Sequence, residues 1–116
     1  MDSNQIIDRL SALANDTRLE AFRVLVKHEP DGVAAGELAR LVKVPQNTLS
    51  THLAVLFRCG LVTNERHSRS IVYRANLPAV HELVLHLLQD CCDGRPELCA
   101  PLAKDISACC TTREGC

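Results

Sequence analysis

Pro45-Gln46-Asn47-Thr48-Leu49-Ser50-Thr51-His52-Leu53-Ala54-Val55-Leu56-Phe57-Arg58-Cys59-Gly60-Leu61-Val62-Thr63 is the stretch that decides the fold, because two periodicities meet inside it. Leu49, Leu53, Leu56 and Phe57 are spaced four, three and one residues apart, which puts them on one face of an α-helix. Pro45 stands in the first turn, where its missing N–H costs little, and Gly60 ends the run. Past Gly60 the helical period is lost. Leu61-Val62-Thr63 and Ser70-Ile71-Val72-Tyr73-Arg74 are β-branched or aromatic, and residues 64–69 between them are polar and basic. That pattern reads as a two-stranded hairpin with a basic tip.

Working outward, Ile6, Leu10 and Leu13 form an apolar stripe that predicts a first helix over residues 5–14. Asn15 or Asp16 can cap a second, with Leu19, Phe22, Leu25 and Val26 inward until Glu29-Pro30-Asp31-Gly32 breaks it. A short third helix over residues 36–42 buries Leu38, Leu41 and Val42. From Pro78 the helical period returns with Val80, Leu83, Val84, Leu87 and Leu88, and it stops near Gly94 and Pro96. The order is helix, helix, helix-turn-helix, hairpin, helix. The expected class is therefore mainly α (α+β), a winged helix-turn-helix with a two-stranded β-hairpin wing. Residues 1–95 form the body and residues 96–116 a cysteine-rich tail. The first and last helices carry more apolar surface than this core needs, and pairing them across a two-fold axis predicts a homodimer.

Composition agrees with this class. The chain has 116 residues, enough for one domain; 47% are hydrophobic, 3% aromatic and none is Trp. A core of Leu, Val, Ile and Ala favours packed helices. No apolar run reaches the roughly 18–20 residues that cross a bilayer, and the first residues, MDSNQIID, lack the basic head and apolar core of an export signal. The expectation is a soluble, cytoplasmic protein with no membrane contact. The formal net charge of −1 hides an asymmetry. Arg40, Lys43, Arg58, Arg66, Arg69 and Arg74 face a single acid, Glu65, between residues 40 and 74, and charge distribution is what a phosphate backbone reads. A solvated basic face has the same composition.

With the Leu residues of the fourth helix inward, Gln46, Asn47, Ser50 and Thr51 point outward and Thr48 and His52 flank them. Amides can pair bidentately with adenine, hydroxyls reach phosphates or base edges, and the N-terminal half of a recognition helix is the part that meets bases. Arg66 and Arg69 on the hairpin add charge for the backbone of double-stranded DNA. An ordinary polar helix face would look similar. His52 suits packing or phosphate contact better than catalysis.

Several separated pieces together carry a resemblance. Leu13-Ala14-Asn15-Asp16-Thr17-Arg18-Leu19, Leu38-Ala39, Pro45-Gln46, Ser50-Thr51-His52-Leu53, Leu56, Cys59-Gly60-Leu61-Val62, Arg66, Ser68-Arg69 and Tyr73-Arg74 resemble the ArsR/SmtB family of metalloregulatory repressors over residues 6–90. The resemblance implies a homodimeric winged helix that binds an operator palindrome in the apo state and leaves it when an ion binds. Many members carry Gly where this chain has Ser68.

The ion is read from the thiols. Six of seven cysteines fall in the last 26 residues, as Cys91-Cys92, Cys99, Cys109-Cys110 and Cys116. An odd count without an export signal favours reduced sulfur over a disulfide framework. Clustered thiols fit a soft metal or metalloid site, a redox switch, or small apolar filler. At the start of the third helix, where some family members carry a Cys-Val-Cys-type motif, this chain has Gly32-Val33-Ala34-Ala35-Gly36-Glu37. His81 and His86 are five residues apart, off a common face, and do not match the paired spacing of the family's zinc-type sites.

Cys91 and Cys92 point about 100° apart in a regular helix, so they converge only where it frays, near Gly94; Pro96 then helps Cys99 return. Three thiolates without a fourth ligand suit As(III), with Sb(III) possible, better than tetrahedral zinc. A Cys-Cys pair followed by a third Cys also resembles a subgroup of arsenic repressors. Cys109, Cys110 and Cys116 repeat the pattern as auxiliary thiols. The alternatives are Cd(II) or Pb(II), or thiol oxidation or persulfide formation on the same fold. No phosphate-type anion cradle accompanies the thiols, so an enzyme is not expected.

Overall fold

A computed structural model of the chain describes the backbone of residues 3–92 and the side chains of residues 3–88. Cys99, Cys109, Cys110 and Cys116, and the expected boundary between residues 95 and 96, lie outside the described residues. The chain divides into one unit ending at Leu83 and a second starting at Val84.

The elements in order are α1 (Ser3–Leu13), α2 (Asp16–Lys27), β1 (Val33–Ala34), α3 (Ala35–Val42), α4 (Gln46–Arg58), β2 (Val62–His67), β3 (Ser70–Ala75) and α5 (Leu77–Cys92). Asn15 caps α2 as expected, its side-chain oxygen accepting from the Arg18 N–H at 3.1 Å. Leu25, Leu38, Leu49, Leu53, Leu56, Leu61 and Val62 are fully buried, and Ala12, Ala21 and Phe22 fill between them. Each large aliphatic side chain taken from water contributes about 1.5–3 kcal/mol. One apolar cluster thus joins α1, α2, α3, α4 and the hairpin.

Three inward assignments made from periodicity fail: Leu19, Leu41 and Phe57 are 43%, 40% and 49% exposed, whereas Val42 is half-buried and packs against the core. Their places go to Val24 on α2 and Ala39 on α3. Pro45 is the N-cap of α4, one position earlier than expected.

The sheet has three strands in the order β1-β3-β2, where a two-stranded hairpin was expected. Val33 pairs with Tyr73 and Ala34 with Val72, both antiparallel. This pairing ties the wing to the residues that open α3. Gly32 permits it: its φ is +81°, and the Arg74 side chain and Tyr73 carbonyl lie where a Cβ would stand. The hairpin is also longer than its β-branched runs. Its register from Val62↔Ala75 to His67↔Ser70 leaves only Ser68 and Arg69 in the loop. Ser68 has φ 57°, the left-handed value expected at the first position of a type II′ turn, where Gly is favoured. Ser68 therefore adopts the conformation that Gly would supply.

Candidate nucleic-acid interface

The two helices of the helix-turn-helix end alike. In α3 the Lys43 N–H donates to the Arg40 carbonyl at 3.3 Å and the Val44 N–H to the Ala39 carbonyl at 3.1 Å. In α4 the Gly60 N–H donates to the Phe57 carbonyl and the Leu61 N–H to the Leu56 carbonyl, both at 3.0 Å. Both are Schellman closures, with Lys43 (φ 61°) and Gly60 (φ 85°) left-handed. The first turns the chain sharply into α4. The second directs it into β2 with Leu61 buried.

On α4 the core holds Leu49, Leu53 and Leu56, leaving Gln46, Asn47, Thr48, Ser50 and Thr51 exposed. α4 begins without an acidic residue in its first turn and without a side-chain cap on its N-cap residue. The Asn47 Oδ1 accepts from the Thr48 N–H at 2.9 Å, which leaves the amide NH₂ outward. A groove of about 420 Å³ separates the first turns of α3 and α4 from the wing. Gln46, Ser50 and Arg69 line it together with Gly36, Glu37 and Tyr73. Side chains proposed from two stretches of sequence, the fourth helix and the hairpin tip, thus share one recess.

The remaining proposed residues take other places. His52 is half-buried, and its Nδ1 faces the Arg18 Nη1 at 3.3 Å. Arginine only donates, so Nδ1 is the acceptor in this pair. Arg18 also donates from Nε to the Ala12 carbonyl at 2.6 Å, which makes His52 part of a link from α4 to α1 and α2. Arg66 is exposed and folds over its own hairpin, donating to the Ser68 carbonyl at 3.4 Å.

The basic segment is less free than its charge count suggests. Arg40 is bound by Glu37, which lies three residues before it and whose carboxyl is held below its ordinary range by that hydrogen bond. Arg74 reaches Glu29, Nη2 to Oε2 at 2.8 Å, and this hydrogen bond raises the guanidinium above its usual value. Lys43, Arg58, Arg66 and Arg69 remain exposed and form no ion pair among the described residues.

Periodicity missed a polar contact behind α4. Arg9 sits on the apolar stripe of α1 with its side chain only 13% exposed. Its Nε donates to the Cys59 carbonyl at 2.9 Å and its Nη1 to the Ala79 carbonyl at 3.2 Å, with Glu82 at 3.7 Å. Asn76 precedes α5 and donates from Nδ2 to the Gly60 carbonyl at 2.7 Å. The signal available in sequence was an arginine inside a stripe whose other members are apolar.

A helix-turn-helix with a three-stranded wing, and with amides and hydroxyls exposed on its second helix, defines the winged helix-turn-helix class. A helix-turn-helix domain family matches residues 13–65. The transcriptional activator HlyU of Vibrio cholerae is 32% identical over 89 residues, covering 75% of this chain and 80% of that protein. A candidate arsenical resistance operon repressor of Halobacterium salinarum, ArsR2, is 35% identical over 81 residues, 70% of this chain and 66% of that one.

Among solved structures, an ArsR-like transcriptional regulator from Rhodococcus superposes with a TM-score of 0.70 at 26% identity, covering 84% of this chain and 89% of that one. Reduced HlyU from Vibrio cholerae gives 0.58 at 31%, covering 73% and 90%. The homodimeric winged helix-turn-helix domain of Mb0332 from Mycobacterium bovis gives 0.61 at 26%, covering 81% and 83%. The chain belongs to the ArsR/SmtB family of transcriptional regulators. These relatives regulate transcription and are not enzymes, as expected for this chain. No helix among the described residues is long and apolar enough to cross a membrane.

Proposed function

We propose that the chain is a homodimeric repressor that holds a palindromic operator through α4 and the wing and releases it when As(III), or Sb(III), binds Cys91, Cys92 and Cys99. The groove that gathers Gln46, Ser50 and Arg69 carries the DNA-binding half. It places a base-reading amide, a hydroxyl and a phosphate-seeking guanidinium on one side of the fold. Gln46, Asn47, Ser50 and Thr51 read base edges, Thr48 and His52 support them from the flanks, and Arg66 and Arg69 meet backbone phosphates. Exposed apolar side chains on α1 (Ile7, Leu10) and on α5 (Leu85, Leu87) support pairing of two copies, as in the homodimeric Mycobacterium bovis domain.

The inducer half rests on the spacing of the thiols and on the arsenical resistance repressor among the relatives. α5 runs through Cys91 and Cys92, with Gly94 two residues beyond. Reversing a 1:99 ratio of free to bound operator requires the ion to favour the free state by about 5.5 kcal/mol. A second reading, release on thiol oxidation or persulfide formation, is favoured by the similarity to reduced HlyU. Cys109, Cys110 and Cys116 serve either reading as auxiliary thiols.

Fluorescence anisotropy on a palindromic duplex, with arsenite, antimonite, Cd(II) and Zn(II) added in turn, tests the assignment. Arsenite and antimonite should release DNA from the wild type and fail on Cys99→Ser. Release by Zn(II) alone overturns it; release of Cys99→Ser by arsenite removes the three-thiolate site and favours the two-thiol reading.

A further inference from the structure

The last turn of α4 is held from two sides by polar groups that the DNA-reading surface does not use. Cys59 and Gly60 close the helix, and their carbonyls point away from the exposed face into the body. The Cys59 carbonyl accepts from Arg9 of α1 and the Gly60 carbonyl from Asn76, immediately before α5. A third bond fixes the same turn, from the Asn76 N–H to the Leu61 carbonyl at 2.9 Å. Arg9 then continues to α5 through the Ala79 carbonyl and Glu82. One guanidinium therefore bonds the end of the recognition helix and the start of α5 at once. Gly60 is fitted to it: a Cβ there would stand 3.1 Å from Arg9 Nη2.

We infer that Arg9 is the positioning residue through which α5 controls α4, with Asn76 as its second fastening. The inference rests on the reading that binding or oxidation at the thiols of α5 releases the operator. Its physical basis is the contrast between the two kinds of contact behind α4. Apolar contacts slide with little loss when a helix shifts, whereas charge-assisted hydrogen bonds to carbonyls weaken steeply with distance and angle. A displacement of the first turn of α5 is consequently passed to Cys59 and Gly60 instead of being absorbed by the core. Two effector states of α5 then correspond to two placements of the recognition helix, which is the condition for coupling between sites.

Arg9→Met keeps the length and apolar stem of the side chain and removes every donor. The test compares wild type, Arg9→Met, Arg9→Lys and Asn76→Ala as full-length chains. Three quantities are read: duplex Kd by anisotropy with and without sodium arsenite, the same with the thiol oxidant diamide, and arsenite uptake by ultraviolet sulfur-to-arsenic absorption. In wild type the effector should raise Kd on the order of 10- to 100-fold. In Arg9→Met and in Asn76→Ala that ratio should fall to within about threefold of unity, with arsenite uptake unchanged and Arg9→Lys intermediate.

Thermal unfolding of each variant separates loss of coupling from loss of fold, and Asn76→Ala carries the test if Arg9→Met does not fold. Full release of both folded variants overturns the role assigned to Arg9 while leaving the induction reading intact. A wild type that neither arsenite nor diamide releases overturns the induction reading, and the coupling with it.

Discussion

Substituting Gly32 by Ala should be among the most damaging changes of a single methyl group in this protein. The backbone at Gly32 is left-handed, φ +81°, where a side chain costs about 1–2 kcal/mol. The methyl would also lie 2.7 Å from the Tyr73 carbonyl oxygen, 2.7 Å from Arg74 Cγ and 2.8 Å from Val72 Cγ1. The Arg74 stem can move aside. The Tyr73 carbonyl cannot, because Tyr73 is paired with Val33, so relief requires separating β1 from β3. Losing that short ladder adds about 0.5–1.5 kcal/mol for each hydrogen bond broken. The entropy Ala removes from the unfolded chain returns only about 0.4–1 kcal/mol.

The net loss is about 2–4 kcal/mol, which lowers Tm by roughly 10–20 °C in a folded body of this size. Gly36, four residues on, provides the control. It lies inside α3 with no left-handed φ, and its nearest atom across the gap is Gln46 Oε1 at an ordinary 3.6 Å. Gly36→Ala should therefore stabilise by about 0.5–1 kcal/mol. Circular dichroism melts at one fixed protein concentration measure both. Shifts of the same sign, or a Gly32→Ala melt within about 3 °C of wild type, would refute the account of β1.

Four further outcomes follow from the structure. Leu53→Ala, at a fully buried site in the middle of α4, should cost about 2–5 kcal/mol in urea unfolding. Ser68→Gly, at φ 57°, should raise stability by up to about 1 kcal/mol, read as a higher urea midpoint with an unchanged slope. Arg69→Ala should weaken duplex binding and flatten the dependence of log K on log salt by about 0.9. Arg74→Ala, whose guanidinium is engaged by Glu29, should leave that slope as it was.

The elements most legible in sequence were those whose side-chain period is long and uninterrupted. Leu49, Leu53 and Leu56 placed α4, and the switch to β-branched residues after Gly60 placed the wing. β1 escaped because two residues, Val33 and Ala34, are too few to show any period; only pairing with β3 makes them a strand. Leu19, Leu41 and Phe57 fall inward by helical spacing, yet the buried positions of α2 and α3 include Val24 and Ala39 and leave these three exposed. Of the residues proposed to face DNA, Gln46, Ser50 and Arg69 converge, while His52 turns toward Arg18, a contact across 34 positions that no local pattern encodes. Arg9 was hidden for the same reason, since its partners Cys59 and Ala79 are backbone carbonyls 50 and 70 residues away.

The pairing of β1 with β3 also has a mechanical meaning. It clamps the wing to the residue that opens α3, while the Lys43 closure fixes α3 against α4. The helix-turn-helix and the wing thereby form a plate whose internal spacings are set by the fold. On the proposed operator reading, a plate of this kind presents a footprint of constant width to one half-site. A signal that changes operator affinity would then act by tilting or re-spacing two plates across the dimer axis. Operators with altered spacing between half-sites would report that signal more directly than operators with altered half-sites.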